Sequence, residues 1–210
     1  MGQNEYNNWS LFQAIEKIER LNSPTLQSRE IELIGKANPK KILDIGCGNG
    51  KKLFSYLKEN NIDFVGIEKF QRLAENSFYS DDIIIADILE MNFSDFDAEL
   101  ENVDTVTILG GSLNGIFGLH QHQTAWKKII DLLAIGGKIV FDLLILNGFE
   151  SEDELGERTI FPGVTPPQFF LSENQLKQIW SDLNIEIVEN HDVRIYPALK
   201  LRFYLLEKIK

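Results

Sequence analysis

The sequence contains a single cysteine, Cys47, and only three histidines. One cysteine cannot form an internal disulfide, and the cysteine and histidines do not cluster at the spacing of zinc sites. The composition therefore argues against a disulfide-stabilised scaffold and against a metal site. It fits a reducing compartment, and we expect a cytoplasmic protein without a bound metal.

Long apolar runs and an excess of basic residues are also missing. No uncharged apolar stretch approaches the ~20 residues that span a bilayer, and the first residues do not combine a basic region with an apolar run. The chain has 21 Lys and Arg against 32 Asp and Glu, a formal charge of −11. This charge opposes capture of a nucleic-acid backbone or of an anionic membrane, so we expect neither as a partner.

The remaining composition is that of an ordinary globular domain. The chain has 210 residues, of which 43% are apolar and 25% are charged, and no internal repeat is visible. This length corresponds to one domain on the usual scale of ~100–200 residues. We therefore predict a single domain over residues 1–210, with a helical cap over 1–38 and a core over 39–210.

Short apolar runs alternate with segments of helical period along the core. The runs are rich in Ile, Val and Leu, as are strands buried on both faces of a parallel sheet. Five such strands are predicted, at Lys41–Ile45, Phe64–Ile67, Ile83–Ala86, Val103–Leu109 and Lys138–Leu144. Beyond them, apolar residues alternate over 185–195 and again over 199–205, where Lys200, Arg202 and Tyr204 occupy the other face. This pattern predicts a terminal antiparallel hairpin.

Apolar stripes at helical spacing lie between the strands. One covers residues 53–57 after the first strand, and another covers residues 126–133 before the fifth. Ser172 and Gln175 form a capping-box pattern ahead of a third stripe over residues 176–183. Helices at these places would cover the predicted sheet.

Two further regions border the predicted core. Short amphipathic helices are expected around residues 11–18 and at 31–37, where they would cap the ligand edge of the sheet. The stretch 147–170 has no clear period and is rich in glycine, proline and acidic residues. A loop of this length is either a functional lid or a solvated insertion, and both interpretations stay open.

The most informative segment is the first strand with the three glycines that follow it, Gly46, Gly48 and Gly50. Glycines here permit a sharp strand-to-helix turn and let the backbone approach a ligand closely. In an open α/β sheet this turn lies at the carboxyl ends of the strands, where ligands bind. A dinucleotide fingerprint would read G-x-G-x-x-G, but Lys51 stands where its third glycine belongs, and no segment matches a P-loop. The motif therefore argues against nucleoside triphosphates and weakens the dinucleotide interpretation.

The segment from Asp44 to Gly50 resembles the first motif of the class I S-adenosylmethionine-dependent methyltransferases. Further matches follow in order between residues 40 and 210: Glu68 ends the second strand, Asp87 follows the third, and Leu109 with Gly110 ends the fourth. The glycines of 136–137 precede the fifth strand. The resemblance implies a doubly wound, three-layer α/β sandwich with a mostly parallel seven-stranded sheet. The expected strand order is 3-2-1-4-5-7-6, with the seventh strand antiparallel.

The resemblance also implies S-adenosylmethionine as cofactor and S-adenosylhomocysteine as product. Glu68 would accept hydrogen bonds from both ribose hydroxyls, and Asp87 would accept one from the adenine amino group. Backbone of the glycine loop would hold the methionyl part, with Cys47 as a small loop-filling residue and not a nucleophile. The predicted cofactor residues are Asp44, Gly46, Cys47, Gly48, Gly50, Glu68, Lys69, Asp87, Ile88, Leu109 and Gly110.

The loop after the fourth strand, residues 110–115, is the expected wall of the acceptor site. Ser112 and Asn114 are candidate ligands for a polar acceptor. The loop lacks the (Asn/Asp)-Pro-Pro-(Tyr/Phe) of relatives that methylate amides or bases of proteins and nucleic acids, and it lacks the acidic residues of aminopropyl-transferring relatives. His120 and His122 are candidate general bases, with surface or helix-start positions as the competing interpretation.

These features predict N- or O-methylation of a small molecule by direct in-line transfer, for which a dedicated base is optional because the methyl group is already electrophilic. Two other hypotheses stay open. One is a nucleotide-cofactor oxidoreductase with an atypical glycine loop, and the other is a non-catalytic protein that retains the cofactor pocket and acts through partners. The sequence leaves the oligomeric state open as well.

Overall fold

The computed structural model describes residues 26–74, 77, 80–116, 118–146, 156–158, 168–171, 173–196 and 199–210. Its helices are α1 (Ser28–Ala37), α2 (Lys51–Asn60), α3 (Gln71–Ala74), α4 (Asp97–Leu100), α5 (Leu119–Leu132) and α6 (Glu173–Ser181). Its strands are β1 (Lys41–Ile45), β2 (Asp63–Glu68), β3 (Ile83–Ile85), β4 (Thr105–Ile108), β5 (Lys138–Leu146), β6 (Gly156–Arg158), β7 (Gln168–Phe170), β8 (Ile185–Tyr196) and β9 (Leu199–Lys208). Short 3₁₀ turns lie at Ser80–Asp82, Phe93–Phe96 and Ser112–Gly115.

The main sheet has seven strands in the order β3-β2-β1-β4-β5-β9-β8. Strands β1 to β5 pair in parallel, whereas β9 runs antiparallel to both β5 and β8. With β8 and β9 counted as its sixth and seventh strands, the order 3-2-1-4-5-7-6 is confirmed, as is the terminal hairpin. The five predicted parallel strands are all present, and none of their ends is shifted by more than two residues.

Helices cover both faces of this sheet, which explains why its strands are continuous apolar runs. On one face, Leu33 of α1 and Leu53 and Leu57 of α2 pack in a fully buried cluster with sheet residues such as Ile42 and Phe203. On the other face, α5 and α6 cover the sheet. The predicted stripes at 53–57, 126–133 and 176–183 therefore lie on the helices that enclose the core, although Ser172 itself lies outside the described residues.

An aromatic cluster fills the core under α5 and α6. Trp126 and Trp180 contact Phe141 edge to face, with ring centroids 5.0 and 6.0 Å apart, and Phe141 stacks on Tyr204 at 4.6 Å. Tyr204 shares a face of β9 with Lys200 and Arg202, as predicted, but it is only 2% exposed. The reason is that β9 lies between β5 and β8 and is buried on both faces.

Helix α1 is the second of the two expected N-terminal helices, but its place differs from the expectation. It packs on one face of the sheet along β5 and β9, because its apolar stripe of Leu33, Ile34 and Ala37 is buried there. Only its first turn reaches the carboxyl edge of the sheet, through Glu30. The helix expected around residues 11–18 lies outside the described residues.

Part of the stretch 147–170 is ordered as a small second sheet, which the sequence analysis did not predict. Strands β6 and β7 pair antiparallel, from Gly156 opposite Phe170 to Arg158 opposite Gln168. Strand β7 lies against the turn Ser112–Gly115, next to the expected acceptor wall. The rest of the stretch lies outside the described residues.

In the described part of the chain, no helix combines the length and apolar character needed to cross a bilayer.

Candidate functional site

A cavity of about 510 Å³ opens at the carboxyl ends of β1, β2, β3 and β4. Open parallel sheets bind ligands at this edge, and the volume is typical of small-molecule sites. Five predicted cofactor residues line the cavity, namely Gly46, Glu68, Lys69, Asp87 and Ile88, together with the acceptor candidate Ser112. The motifs that are separate in the sequence therefore meet in one cavity.

The glycine loop turns the chain sharply from β1 into α2. Gly46, Gly48 and Gly50 have φ angles of 72°, 57° and 70°, a region that favours glycine because a side chain is strained there. A Cβ atom on Gly46 would lie 2.8 Å from Ser112 Oγ. The first glycine is therefore also needed so that the loop after β4 can approach the loop after β1.

The N–H groups of this loop are used inside the protein. Gly46 and Cys47 both donate to the carbonyl oxygen of Ile67, at 2.8 and 3.2 Å. Gly48 donates to Glu68 Oε2 at 2.8 Å, and Gly50 donates to the carbonyl oxygen of Cys47 at 2.9 Å. A phosphate cradle requires N–H groups that point at the ligand. Of these four residues Gly46 lines the cavity, so its backbone can approach a ligand closely.

Glu68 joins the end of β2 to the glycine loop. Its Oε2 accepts the Gly48 N–H, and its Oε1 accepts the Phe70 N–H at 2.9 Å. The residue is only 4% exposed although it lines the cavity. Glu68 is therefore a buried carboxylate at the cavity and not a solvated surface residue. Each oxygen keeps a lone pair for a ligand, because a carboxylate has about four acceptor positions.

Asp87 begins the turn after β3 and forms an ion pair at the cavity mouth. Its Oδ1 accepts the Leu89 N–H at 3.0 Å, and its Oδ2 lies 2.6 Å from Lys69 Nζ. Burial by itself would raise the pKa of Asp87. The pKa is nevertheless lowered, because Asp87 accepts hydrogen bonds from Lys69 and from the Leu89 N–H and is attracted by the charges of Lys69 and Lys128. Asp87 therefore presents an ionised acceptor to the cavity.

Behind the glycine loop lies a buried group of charges around Lys52. Lys52 Nζ is 2.6 Å from Glu30 Oε1 of α1, and Thr107 Oγ1 donates to Asp44 Oδ1 at 2.7 Å. Burial raises the pKa of Asp44 to about 7 and outweighs the Thr107 hydrogen bond and the charge of Lys52, which lower it. Asp44 is not among the residues that line the cavity.

Asp142 of β5 fixes the turn after β4. The two oxygens of its fully buried carboxylate accept the N–H groups of Gly110 and Gly111, at 2.8 and 2.5 Å. Both glycines have positive φ angles, 72° and 71°, so consecutive N–H groups point at one anion. Burial raises the pKa of Asp142 to about 6. Gly110 and the buried Leu109 therefore lie next to the turn that is expected to form the acceptor wall, but outside the cavity lining.

Cys47 packs against β2 and not into the cavity. Cys47 is 8% exposed. Its Sγ would lie 2.6 Å from a Cβ atom on residue 66, so the thiol fits only because this residue is Gly66. Burial, with smaller effects of the charges of Asp44 and Glu68, raises the pKa of the thiol. A thiol held protonated in this way is a poor nucleophile, as expected for a loop-filling residue.

The two candidate bases lie in the first turn of α5, outside the cavity lining. His120 is exposed. His122 is fully buried, and burial lowers its pKa to about 4 against a hydrogen bond to the backbone of Ile116 that raises it. His122 is therefore a neutral side chain of the core. The side chain of Asn114 lies outside the described part of the structure.

Several cavity residues were not identified from the sequence. Most are apolar, and four of them come from the turn after β4 and from α5: Leu113, Ile116, Ala125 and Ile129. Phe70 and Leu73 add exposed apolar surface at the mouth. Their only sequence signal is proximity to the motifs, because apolar residues on a helix are read first as core.

Among the described residues, no group of three or more His, Cys, Asp or Glu is arranged to hold a metal ion.

No model of a protein family matches the sequence, and no curated protein matches it. Several solved structures are similar to this chain in fold. A S-adenosylmethionine-dependent methyltransferase from Clostridium acetobutylicum ATCC 824 has a TM-score of 0.64 at 16% identity, over 98% of this chain and 99% of that chain. CalS10 from Micromonospora echinaspora, an amino pentose methyltransferase with S-adenosylmethionine bound, has a TM-score of 0.63 at 12% identity. The match covers 92% of this chain and 95% of that chain.

A third similar structure is the [4+2]-cyclase SpnF, with a TM-score of 0.60 at 14% identity, over 86% of this chain and 80% of that chain. Together the matches show that this chain has the class I methyltransferase fold. Because one fold hosts several reactions, the reaction has to be argued from the cavity and its residues.

Proposed function

We propose that this protein is a S-adenosylmethionine-dependent methyltransferase that methylates a nitrogen or oxygen atom of a small molecule. The observation that carries the proposal is the pair of carboxylates, Glu68 and Asp87, at the ends of neighbouring strands in one cavity. They lie beside a glycine loop whose N–H groups are bonded within the protein. This arrangement suits a ligand that brings hydroxyl, amino and ammonium donors.

The residues of the cavity fit S-adenosylmethionine by their chemistry. The free lone pairs of Glu68 would accept from the ribose hydroxyls, and the Asp87 carboxylate would accept from the adenine amino group. Ile88 and Leu113 supply apolar surface for the adenine ring. Carbonyl oxygens of the glycine loop, backed by the charge of Asp44, would accept from the ammonium group.

The same inventory disfavours a nicotinamide dinucleotide. A pyrophosphate bound at this loop would require N–H donors, but those of Gly46, Cys47 and Gly48 already have acceptors. The carboxylates of Glu68 and Asp87 would repel its charge. An oxidoreductase that uses this loop would have to rearrange it on binding.

When bound, S-adenosylmethionine supplies a methyl group that its sulfonium makes electrophilic, and transfer to the acceptor leaves S-adenosylhomocysteine. The chain's task is then to orient the acceptor and exclude water, which can lower a barrier by ~7–11 kcal/mol. The turn at Ser112–Gly115, held by Asp142 through Gly110 and Gly111, forms the wall for this task. Neither histidine is required, because an amine attacks through its own lone pair.

The acceptor is proposed to be a small polar molecule bound near Ser112 and Asn114. Strand β7 lies against this turn and narrows access to it. CalS10 is described as an amino pentose methyltransferase, which supports small-molecule acceptors for this fold. A polymer would need a wider opening or a basic surface, and the charge of −11 opposes a nucleic acid.

Calorimetric titration with S-adenosylhomocysteine and with NADH tests the cofactor assignment. We expect saturable binding of S-adenosylhomocysteine alone. Glu68→Ala should weaken it by about 1.5–3 kcal/mol, roughly 10- to 150-fold, as for hydrogen bonds to charged groups. Glu32→Ala, which removes an exposed carboxylate outside the cavity, is the control. Preferential binding of NADH, or unchanged affinity in folded Glu68→Ala, would contradict the assignment.

Acceptor turnover separates the methyltransferase from a binding protein or from another reaction on this fold. The similarity to the [4+2]-cyclase SpnF gives this alternative a concrete basis. Purified protein that binds the cofactor would be incubated with labelled S-adenosylmethionine and pools of amines, carboxylates and hydroxyl compounds. Labelled product supports methyl transfer, whereas tight binding without product for any class supports a non-catalytic role.

A further inference from the structure

Lys128 of α5 binds the turn that follows β3. Its Nζ donates to the carbonyl oxygens of Leu89, Met91 and Ile88, at 2.7, 2.8 and 3.2 Å. An ammonium group has three N–H donors, so each can be directed at one carbonyl. A single lysine thereby ties three of four consecutive backbone carbonyls to a helix that lies elsewhere in the sequence.

This turn forms one wall of the candidate cofactor cavity. Ile88 and Leu89 line the cavity directly, next to Asp87. Leu89 is held at both ends, since its N–H donates to Asp87 Oδ1 and its carbonyl accepts from Lys128. Displacement of the Leu89 backbone would therefore move the carboxylate proposed to accept from adenine.

Lys128 lies outside the cavity lining, but the helix that carries it contributes Ala125 and Ile129 to that lining. The lysine thus links two opposite walls of one cavity through hydrogen bonds to backbone. Its positive charge also helps to lower the pKa of Asp87. A lysine that only anchored a surface turn would have no connection to the cavity or to Asp87.

We propose that Lys128 is a positioning residue for the adenine end of the cofactor site, acting through the backbone of residues 88–91. The proposal rests on the proposed function. Loss of the ammonium group leaves three partly buried carbonyl oxygens without this donor, and the turn can then relax away from the bound conformation. Binding of the nucleoside part should suffer, while the rest of the fold is retained.

The chain offers a matched control in Lys208. Its Nζ donates to the carbonyl oxygens of Ile130 and Leu133, at 2.9 and 2.7 Å, and so caps the C-terminal end of the same helix. Lys208 is also partly buried, but neither it nor these two carbonyl residues line the cavity. Lys128→Met and Lys208→Met remove the same ammonium group from comparable backbone acceptors, so both should lower the melting temperature by similar amounts.

The test measures binding of S-adenosylhomocysteine and of adenosine by calorimetry, with thermal unfolding measured on the same samples. We expect Lys128→Met to weaken both ligands at least tenfold and Lys208→Met to change neither by more than twofold. Lys128→Gln, whose amide retains two donors, should lose less affinity and serves if Lys128→Met does not fold. Equal affinities in folded Lys128 and Lys208 variants would overturn the positioning role. Wild-type protein that binds neither ligand would overturn the proposed function itself.

Discussion

Burial of Asp44 leads to a specific prediction for the pH dependence of stability. Burial raises its pKa from the ordinary 3.8 to about 7. A carboxyl group with a raised pKa in the folded state favours folding fully only below its unfolded pKa, and this contribution is lost as the pH rises through the folded value. Between pH 5 and pH 8, ionisation of Asp44 should therefore lower the free energy of unfolding by roughly 2–3 kcal/mol, at about 1.36 kcal/mol per pH unit.

His122 acts in the opposite direction over part of this range. Burial lowers its pKa from 6.5 to about 4, so stability is lost as the pH falls below 6.5 and the unfolded chain takes up a proton. The wild-type curve combines these effects with that of Asp142, whose pKa burial raises to about 6, and cannot isolate any one of them. The comparison is therefore made with Asp44→Asn, whose amide oxygen can still accept from Thr107 Oγ1, while His122 and Asp142 contribute equally to both proteins.

The assay is urea unfolding at pH 5, 6, 7 and 8, followed by tryptophan fluorescence. We expect the stability of Asp44→Asn relative to wild type to increase by roughly 2–3 kcal/mol from pH 5 to pH 8. Asp131→Asn is the control, because its side chain is 65% exposed, and its difference from wild type should stay constant. A difference between Asp44→Asn and wild type that does not change with pH would refute the reasoning.

Two further substitutions test the packing around the site. Gly46→Ala places a Cβ atom 2.8 Å from Ser112 Oγ, on a residue with a φ angle of 72°. It should lower the free energy of unfolding in urea by about 1–3 kcal/mol. Gly115→Ala is the control, because its Cβ meets no atom within 4 Å, and it should lower the free energy of unfolding much less. Trp126→Ala removes a fully buried indole ring that packs against Phe141, and it should lower the free energy of unfolding by about 3–5 kcal/mol. Trp126→Phe should cost less in the same assay, because the indole Nε1 has no hydrogen-bond partner among the described residues; equal losses would contradict this.

The predictions of the fold succeeded where burial on both faces produces a strong pattern. The five parallel strands are continuous apolar runs because helices cover the sheet on each side. In β9 the alternation did not reveal that Tyr204 is buried, because its cover comes from Trp180 of α6, which is distant in sequence. Strands β6 and β7 have only three residues each, which is too short for any periodicity to be visible.

Predicted site residues at strand ends line the cavity, whereas residues that act through tertiary contacts were not found from the sequence. Glu68 and Asp87 could be found because the order of the strands puts their ends at one edge. Lys128 and Glu30 lie on helices, where a charged residue is read first as solvent-exposed, and only packing reveals their partners. Asp142 did carry a signal, since it is the one acidic residue in the otherwise apolar run of β5.

The hydrogen bonds of the glycine loop discriminate between cofactors more sharply than the fold does. Dinucleotides and S-adenosylmethionine are both bound at the carboxyl edge of doubly wound sheets, so the strand order alone does not separate them. A phosphate group needs free N–H donors, and here those of Gly46, Cys47 and Gly48 are taken by Ile67 and Glu68. The nearby Lys52 is engaged by Glu30. The loop therefore offers a phosphate no free N–H group of Gly46, Cys47 or Gly48, and this disfavours a dinucleotide independently of structural matches at 16% identity or less.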